Sequence, residues 1–203
     1  MTIEKWANRK KELSDRICSI FLSKGILKFG DFVLHLNKRT KYYLDFRLLP
    51  SYPLEFEKGC DAYVEMIKNE VPKVCKIAGV AAAALPFSII VCRKLNLPHL
   101  LIEKLEYGGS LESPLSPKLK KDEQVLLLDD ATASGVTLLL TADVIHASGG
   151  VVRDAVVLVD RQEGAKELLG KAGIKLHYLL TIQEIIDRKV FLGTPIGAKL
   201  KAV

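Results

Sequence analysis

The sequence predicts an α/β fold: a doubly wound parallel sheet behind a small N-terminal hood. Three observations predict it. From about residue 54 onward, segments of helical period alternate with short apolar strands. Gln124-Val125-Leu126-Leu127-Leu128 is a continuous apolar run, as in a parallel strand covered on both faces. Residues 1–53 follow another pattern, one helix and then a hairpin.

Taken in order, residues 3–24 form an amphipathic helix, with Trp6, Leu13, Ile17, Ile20 and Phe21 near one face and Gly25 as its stop. Residues 28–34 and 42–47 alternate as two strands of a hairpin that Pro50 and Pro53 end. A helix over 55–69, a strand over 74–80, a helix over 86–95 with Pro86 in its first turn, and a strand over 99–102 follow. Residues 106–123 lack apolar periodicity and form a long loop. Then come the strand at 124–128, a helix over 136–147, a strand over 151–159 and a helix over 163–172. A strand over 174–180 and a helix opening at Thr181 complete the order. The expected layout is one domain: hood 1–53, α/β core 54–187 and tail 188–203.

A chain of 203 residues can bury a real core, and 49% hydrophobic with 27% charged residues excludes disorder, collagen and a disulfide scaffold. The net charge of +6 is spread along the chain with no run of five like charges. Nucleic acid is therefore not an expected partner. Cys18, Cys60, Cys75 and Cys92 have no metal-ligand spacing and read as reduced, mostly buried thiols of a cytoplasmic protein. The apolar stretch 77–92 is too short to span a membrane.

Three segments carry chemistry. In Leu128-Asp129-Asp130-Ala131-Thr132-Ala133-Ser134-Gly135-Val136-Thr137, an apolar strand delivers two carboxylates, and a loop of small residues leads into a helix. Amides at a helix N-terminus cradle a phosphate, and Ser134 and Thr137 add hydroxyls. The carboxylates would repel that phosphate, so they face sugar hydroxyls or a Mg²⁺. The plainer alternative is an ordinary helix start capped by Thr132 or Ser134. A Walker B strand is excluded because no G-x-x-x-x-G-K-[ST] partner exists. At Val159-Asp160-Arg161-Gln162-Glu163-Gly164, Arg161 suits a carboxylate ligand or a surface pair with a Glu. Thr40 to Arg47 places Tyr42 and Tyr43 either in a pocket or on a half-buried edge strand.

Together and in this order, these segments resemble the orotate phosphoribosyltransferases, of type I phosphoribosyltransferase fold. Gly30-Asp31-Phe32-Val33-Leu34 and Thr40 to Arg47 match the family's G-x-F-x-L and S-P-Y-Y-x-D-x-R. Asp129 to Gly135 match D-D-x-x-T-x-G, and Asp160 to Gly164 match D-R-Q-E-G. The resemblance runs from about residue 13 to 187. It implies a homodimer, or a mixed dimer, that uses Mg²⁺ to transfer phosphoribosyl from phosphoribosyl pyrophosphate to orotate. It also implies that Ala133, Ser134, Gly135, Val136 and Thr137 hold the 5′-phosphate. Asp129 and Asp130 would hold ribose hydroxyls and metal, Arg161 with Tyr42 and Tyr43 the base, and Lys104 the pyrophosphate.

Four places depart from the family. Ala82, Ala83 and Ala84 stand where a T-G-G-type turn receives pyrophosphate, and glycine-only conformations are costly for Ala. The mobile loop keeps Lys104 but has Leu101, Ile102 and Leu105 for cations, Tyr107 for His, and Glu103 and Glu106 as flanks. Ala133 replaces a Thr, and His35 a Lys. A lost cation forfeits on the order of 2 kcal/mol, about thirtyfold in rate. Lys118, Lys120 and Lys121 are candidate substitutes. Three functions follow: orotate transfer; a degenerate member that binds a pyrimidine nucleotide or phosphoribosyl pyrophosphate as regulator or subunit of a mixed dimer; or, third, transfer to another base.

Overall fold

The computed structural model describes residues 2–33, 39–102 and 115–188. Helix α1 (Ile3–Ser23) starts where the Thr2 side chain accepts from the Lys5 amide, and it buries Leu13, Ile17, Cys18 and Phe21 along one stripe. Strands β1 (Leu27–Val33) and β2 (Arg39–Leu44) pair antiparallel as the hood hairpin. Residues 46–51 form a 3₁₀ turn, not the end of a strand, because Pro50 has no amide to give a ladder. Helix α2 (Pro53–Glu70) has Pro53 in its first turn, where a missing N–H costs nothing.

The core alternates as expected: β3 (Lys76–Gly79), α3 (Ala81–Leu95), β4 (His99–Ile102), β5 (Leu115–Ser116), β6 (Gln124–Thr132), α4 (Val136–Ala147), β7 (Val151–Asp160), α5 (Ala165–Lys171), β8 (Lys175–Thr181) and α6 (Ile182–Asp187). The sheet order is β5-β4-β3-β6-β7-β8, and all pairs are parallel except β4 with β5. Successive strand residues alternate between two cores. Leu126, Leu128, Val156 and Leu158 pack with α1, α2 and α3, whereas Val125, Leu127, Ala155 and Val157 pack with α4 and α5. Chain order reverses between β3 and β6, so the C-terminal ends of these two strands flank the crevice where such sheets bind ligands.

Three expectations change. Helix α3 starts at Ala81, not Pro86, because four successive Ala favour helix more strongly than Pro86 favours a first turn. Ala82, Ala83 and Ala84 are therefore helical, and no glycine-only conformation is asked of them. The α3 helix crosses β3 closely: a Cβ on Gly79 would lie 2.3 Å from Ser88 Oγ. Strand β6 runs on to Thr132, so both carboxylates are strand residues. Within the expected loop 106–123, Leu115 and Ser116 add a short antiparallel strand.

At the opposite end of the sheet from the crevice, His177 is buried between two carboxylates. Its Nδ1 lies 3.1 Å from Glu70 and its Nε2 2.8 Å from Asp154. Glu70 also accepts from Trp6 Nε1 and from the Lys10 ammonium, which ties α1 and α2 to β7 and β8. Burial works to raise the Glu70 pKa, but the His177, Lys10 and Trp6 hydrogen bonds bring it down to about 2. A folded-state pKa below the unfolded one stabilises above the unfolded value, and that stability is lost as pH falls toward about 2. Glu70→Gln should therefore cost about 2–3 kcal/mol at pH 7. Urea unfolding at pH 7 and at pH 3 checks this: the gap between wild type and variant narrows at the lower pH.

Candidate active site

Beside that crevice lies a cavity of about 290 Å³, at the C-terminal ends of β6 and β7 and roofed by the hood. Its wall includes Asp129, Asp130, every residue from Ala131 to Thr137, Arg161, and Tyr42, Tyr43, Leu44 and Phe46. Of the expected site residues, all but Lys104 thus meet in one place. Residues 103–108, Lys104 among them, and His35 lie outside the described residues.

The turn after β6 is shaped for an anion. Gly135 is the N-cap of α4 with φ 81°, and no side chain caps the helix. Thr132 is buried within β6, and Ser134 is exposed with no bond to the helix, so neither supplies the cap that the plainer reading required. The first main-chain bond of α4 runs from the Leu139 amide to Gly135 O, at 2.9 Å. Among the described residues, the amides of Ser134, Gly135, Val136 and Thr137 donate to no main-chain or side-chain group. Uncapped helix donors carry partial positive charge and require an acceptor. The loop is anchored from behind: Ala165 N–H donates to Ala133 O at 3.2 Å, and a Cβ on Gly135 would lie 3.0 Å from the Ala165 Cα.

Asp129 and Asp130 form the opposite electrostatic pole. Burial, and then the charge of Asp130, pushes the Asp129 carboxyl well above the usual range. Burial also raises Asp130. The Asp130 amide donates to Asp129 Oδ1 at 3.0 Å, and the Ala131 amide to Asp130 Oδ1 at 2.8 Å. Neither carboxylate has an ion-pair partner among the described residues. Tyr63 braces the strand from below, its buried hydroxyl donating to Asp129 O at 2.6 Å. Sequence reasoning missed Tyr63. The available signal was a tyrosine on the inner stripe of α2, whose hydroxyl needs a partner when buried.

Two carboxyl groups without an ion-pair partner among the described residues fit a hard divalent cation that takes its other oxygens from substrate and water, as Mg²⁺ does. They do not make a cage. Among the described residues, no group of three or more His, Cys, Asp or Glu could hold a metal.

Arg161 is the only cationic side chain of the cavity wall among the described residues. Its backbone amide donates to Thr132 O, its Nη2 pairs with Glu163 at 2.9 Å, and its Nε–H donates to the Tyr42 hydroxyl at 3.1 Å. Next to it, Gln162 sits at φ 57°, its backbone N–H donating a hydrogen bond to Asp160 Oδ1 at 2.8 Å. Strain of this kind persists where the surroundings over-determine it. Tyr43 stands on the same wall, its hydroxyl accepting from Arg47, which pairs with Asp45. Lys118, Lys120 and Lys121 precede β6 and lie at the N-terminal end of the sheet, so they cannot reach this cavity as substitute cations.

The phosphoribosyl transferase domain model matches residues 54–178. An orotate phosphoribosyltransferase of Methanopyrus kandleri is 36% identical over 173 residues, 84% of this chain and 91% of that protein. One of Saccharolobus solfataricus is 38% identical over 170 residues, 83% of this chain and 84% of its own length. The crystal structure of orotate phosphoribosyltransferase from Aeropyrum pernix superposes with a TM-score of 0.78 at 27% identity, covering 88% of this chain and 99% of that one.

Proposed function

The chain belongs to the orotate phosphoribosyltransferases, and on that premise we propose that its cavity transfers phosphoribosyl from phosphoribosyl pyrophosphate to orotate. Orotidine 5′-monophosphate and pyrophosphate are the products, as pyrimidine nucleotide synthesis requires. One observation carries the reading. A set of helix-start amides with no acceptor among the described protein groups and a buried carboxyl pair face the same cavity as a fixed guanidinium. Those three parts suit a phosphate, a ribose and an acidic base.

The amides of Ser134 to Thr137, with the Ser134 and Thr137 hydroxyls, hold the 5′-phosphate against the α4 dipole. Ala133 contributes backbone, not a hydroxyl. As the glycosidic carbon loses its leaving group, positive charge grows on the ribose. Asp129 and Asp130, poorly solvated, accept from the ribose hydroxyls and stabilise that charge more than water would. Asp129 and Asp130 would hold Mg²⁺, which would supply positive charge against the departing pyrophosphate. Arg161 orients orotate through its carboxylate. Lys104 is assigned to pyrophosphate on the resemblance alone.

A homodimer belongs to the proposal. Ile89 and Ile90 on α3 and Leu101 on β4 are exposed, an apolar set that a second copy would cover. A cytoplasmic location is part of the proposal, in keeping with four free cysteines, Cys18, Cys60, Cys75 and Cys92. Among the described residues, no helix is long and apolar enough to cross a membrane.

Binding without turnover is the second reading. It is favoured by Arg161 being alone as a cation on the described wall and by Leu101 and Ile102 occupying the end of β4. Loss of orotate absorbance with phosphoribosyl pyrophosphate and Mg²⁺ decides between them. Turnover above about 1 s⁻¹, an ordinary enzymatic rate, establishes transfer. Calorimetric binding of orotidine 5′-monophosphate without turnover establishes the binding module.

A further inference from the structure

We infer that Tyr42 is a positioning residue for Arg161, fixing which edge of the guanidinium meets the base. The inference rests on the assignment of Arg161 to orotate made above.

Arg161 is supported at separate points by elements far apart in the chain. The Tyr42 hydroxyl takes the Nε–H at 3.1 Å from the hood strand β2, and Glu163 takes Nη2 at 2.9 Å from the turn before α5. The guanidinium carbon also lies 5.2 Å from the centroid of the Tyr42 ring, within range of a cation–π contact. Together these contacts hold a side chain that otherwise samples many rotamers. A guanidinium already held in place loses less freedom when a ligand arrives.

The contacts also select an edge. A carboxylate can be met by the Nε side of an arginine or by the Nη end. Tyr42 occupies the Nε side. Nη1 has no partner among the described residues, so it is left for the ligand. The contact cannot be a passive hinge of the hood, because its hood partner lines the same cavity as the guanidinium. Nor is the Tyr42 ring bare for stacking on both faces, since the guanidinium sits against it.

Tyr42→Phe keeps the ring and removes only the acceptor. Calorimetry with orotidine 5′-monophosphate and with ribose 5-phosphate is the test. The variant should bind orotidine 5′-monophosphate about tenfold more weakly, roughly 1.4 kcal/mol, and ribose 5-phosphate as wild type does. In turnover, the KM for orotate should rise and the KM for phosphoribosyl pyrophosphate should hold. In an Arg161→Gln background, or Arg161→Lys where the Gln variant is unstable, Tyr42→Phe should cause no further loss. Equal binding by Tyr42→Phe and wild type overturns the inference. So does a tenfold loss that persists without Arg161, because Tyr42 would then touch the base itself. Wild-type protein that binds neither compound defeats instead the functional reading underneath.

Discussion

Asp129→Asn and Asp130→Asn should each lower kcat/KM by about 10²–10³-fold, and Asp129→Asn should at the same time make the ligand-free protein melt higher. The first effect is the loss of a preorganised negative group at the ribose, where single electrostatic contacts contribute about 3–4 kcal/mol to the transition state. The second follows from burial. Asp129 is nearly inaccessible, lies beside a second carboxylate, and has a pKa well above its ordinary value. A carboxyl whose folded pKa is raised stabilises the fold only while protonated. Its contribution is present at low pH and turns unfavourable as pH rises through the interval between the unfolded and folded values. An amide at that position keeps the shape and removes the charge. A Tm gain of about 2–4 °C, the response of a chain this size to 1 kcal/mol, is expected at pH 7. The gain should vanish below about pH 4, near the ordinary Asp pKa, where wild-type Asp129 is protonated too, and shrink when Mg²⁺ and a ribose phosphate are added. Paired melting curves with steady-state kinetics read both halves.

Gly135→Val should abolish ribose 5-phosphate binding in the millimolar range and reduce turnover to background, with Gly135→Ala intermediate. Gly135 sits at φ 81°, a region that β-branched residues avoid. Its missing Cβ faces the Ala165 backbone at 3.0 Å, not a side chain that could rotate away. The strain and the clash act in the same direction, together about 2–4 kcal/mol. The segment that must give is the turn carrying the free amides, since the Ala165 amide holds Ala133 from behind. For Gly135→Ala, phosphate affinity should fall about 10–100-fold by calorimetry, with far-UV circular dichroism unchanged.

Much of this fold was legible because its strands are buried on both faces. The runs from Val125 to Leu128 in β6 and from Ala155 to Val159 in β7 need no partner information to be recognised, since a covered parallel strand is what such continuity fits. The turn after β6 was legible because small residues directly after two carboxylates are a local pattern. Boundaries failed where two local preferences competed. Pro86 favours a first turn, but Ala81 to Ala84 extend the helix upstream of it. Thr132 and Ser134 are good caps by type, yet Gly135 occupies the position. What was not legible is spatial. Lys118, Lys120 and Lys121 are close in sequence to the acidic strand but lie at its wrong end. The Tyr42–Arg161 bond joins residues 119 positions apart. Tyr63 reaches Asp129 across 66 positions, and periodicity presents it only as a core residue.

The central claim is that the turn after Asp130 receives the phosphorylated end of a ribose. Titration of ¹⁵N-labelled protein with ribose 5-phosphate, followed by amide chemical shifts, tests it most directly. The account predicts saturable downfield shifts concentrated at Ser134, Gly135, Val136 and Thr137, and absent from Gly135→Val. Saturable binding whose shifts fall elsewhere, with those four amides unmoved, would contradict it.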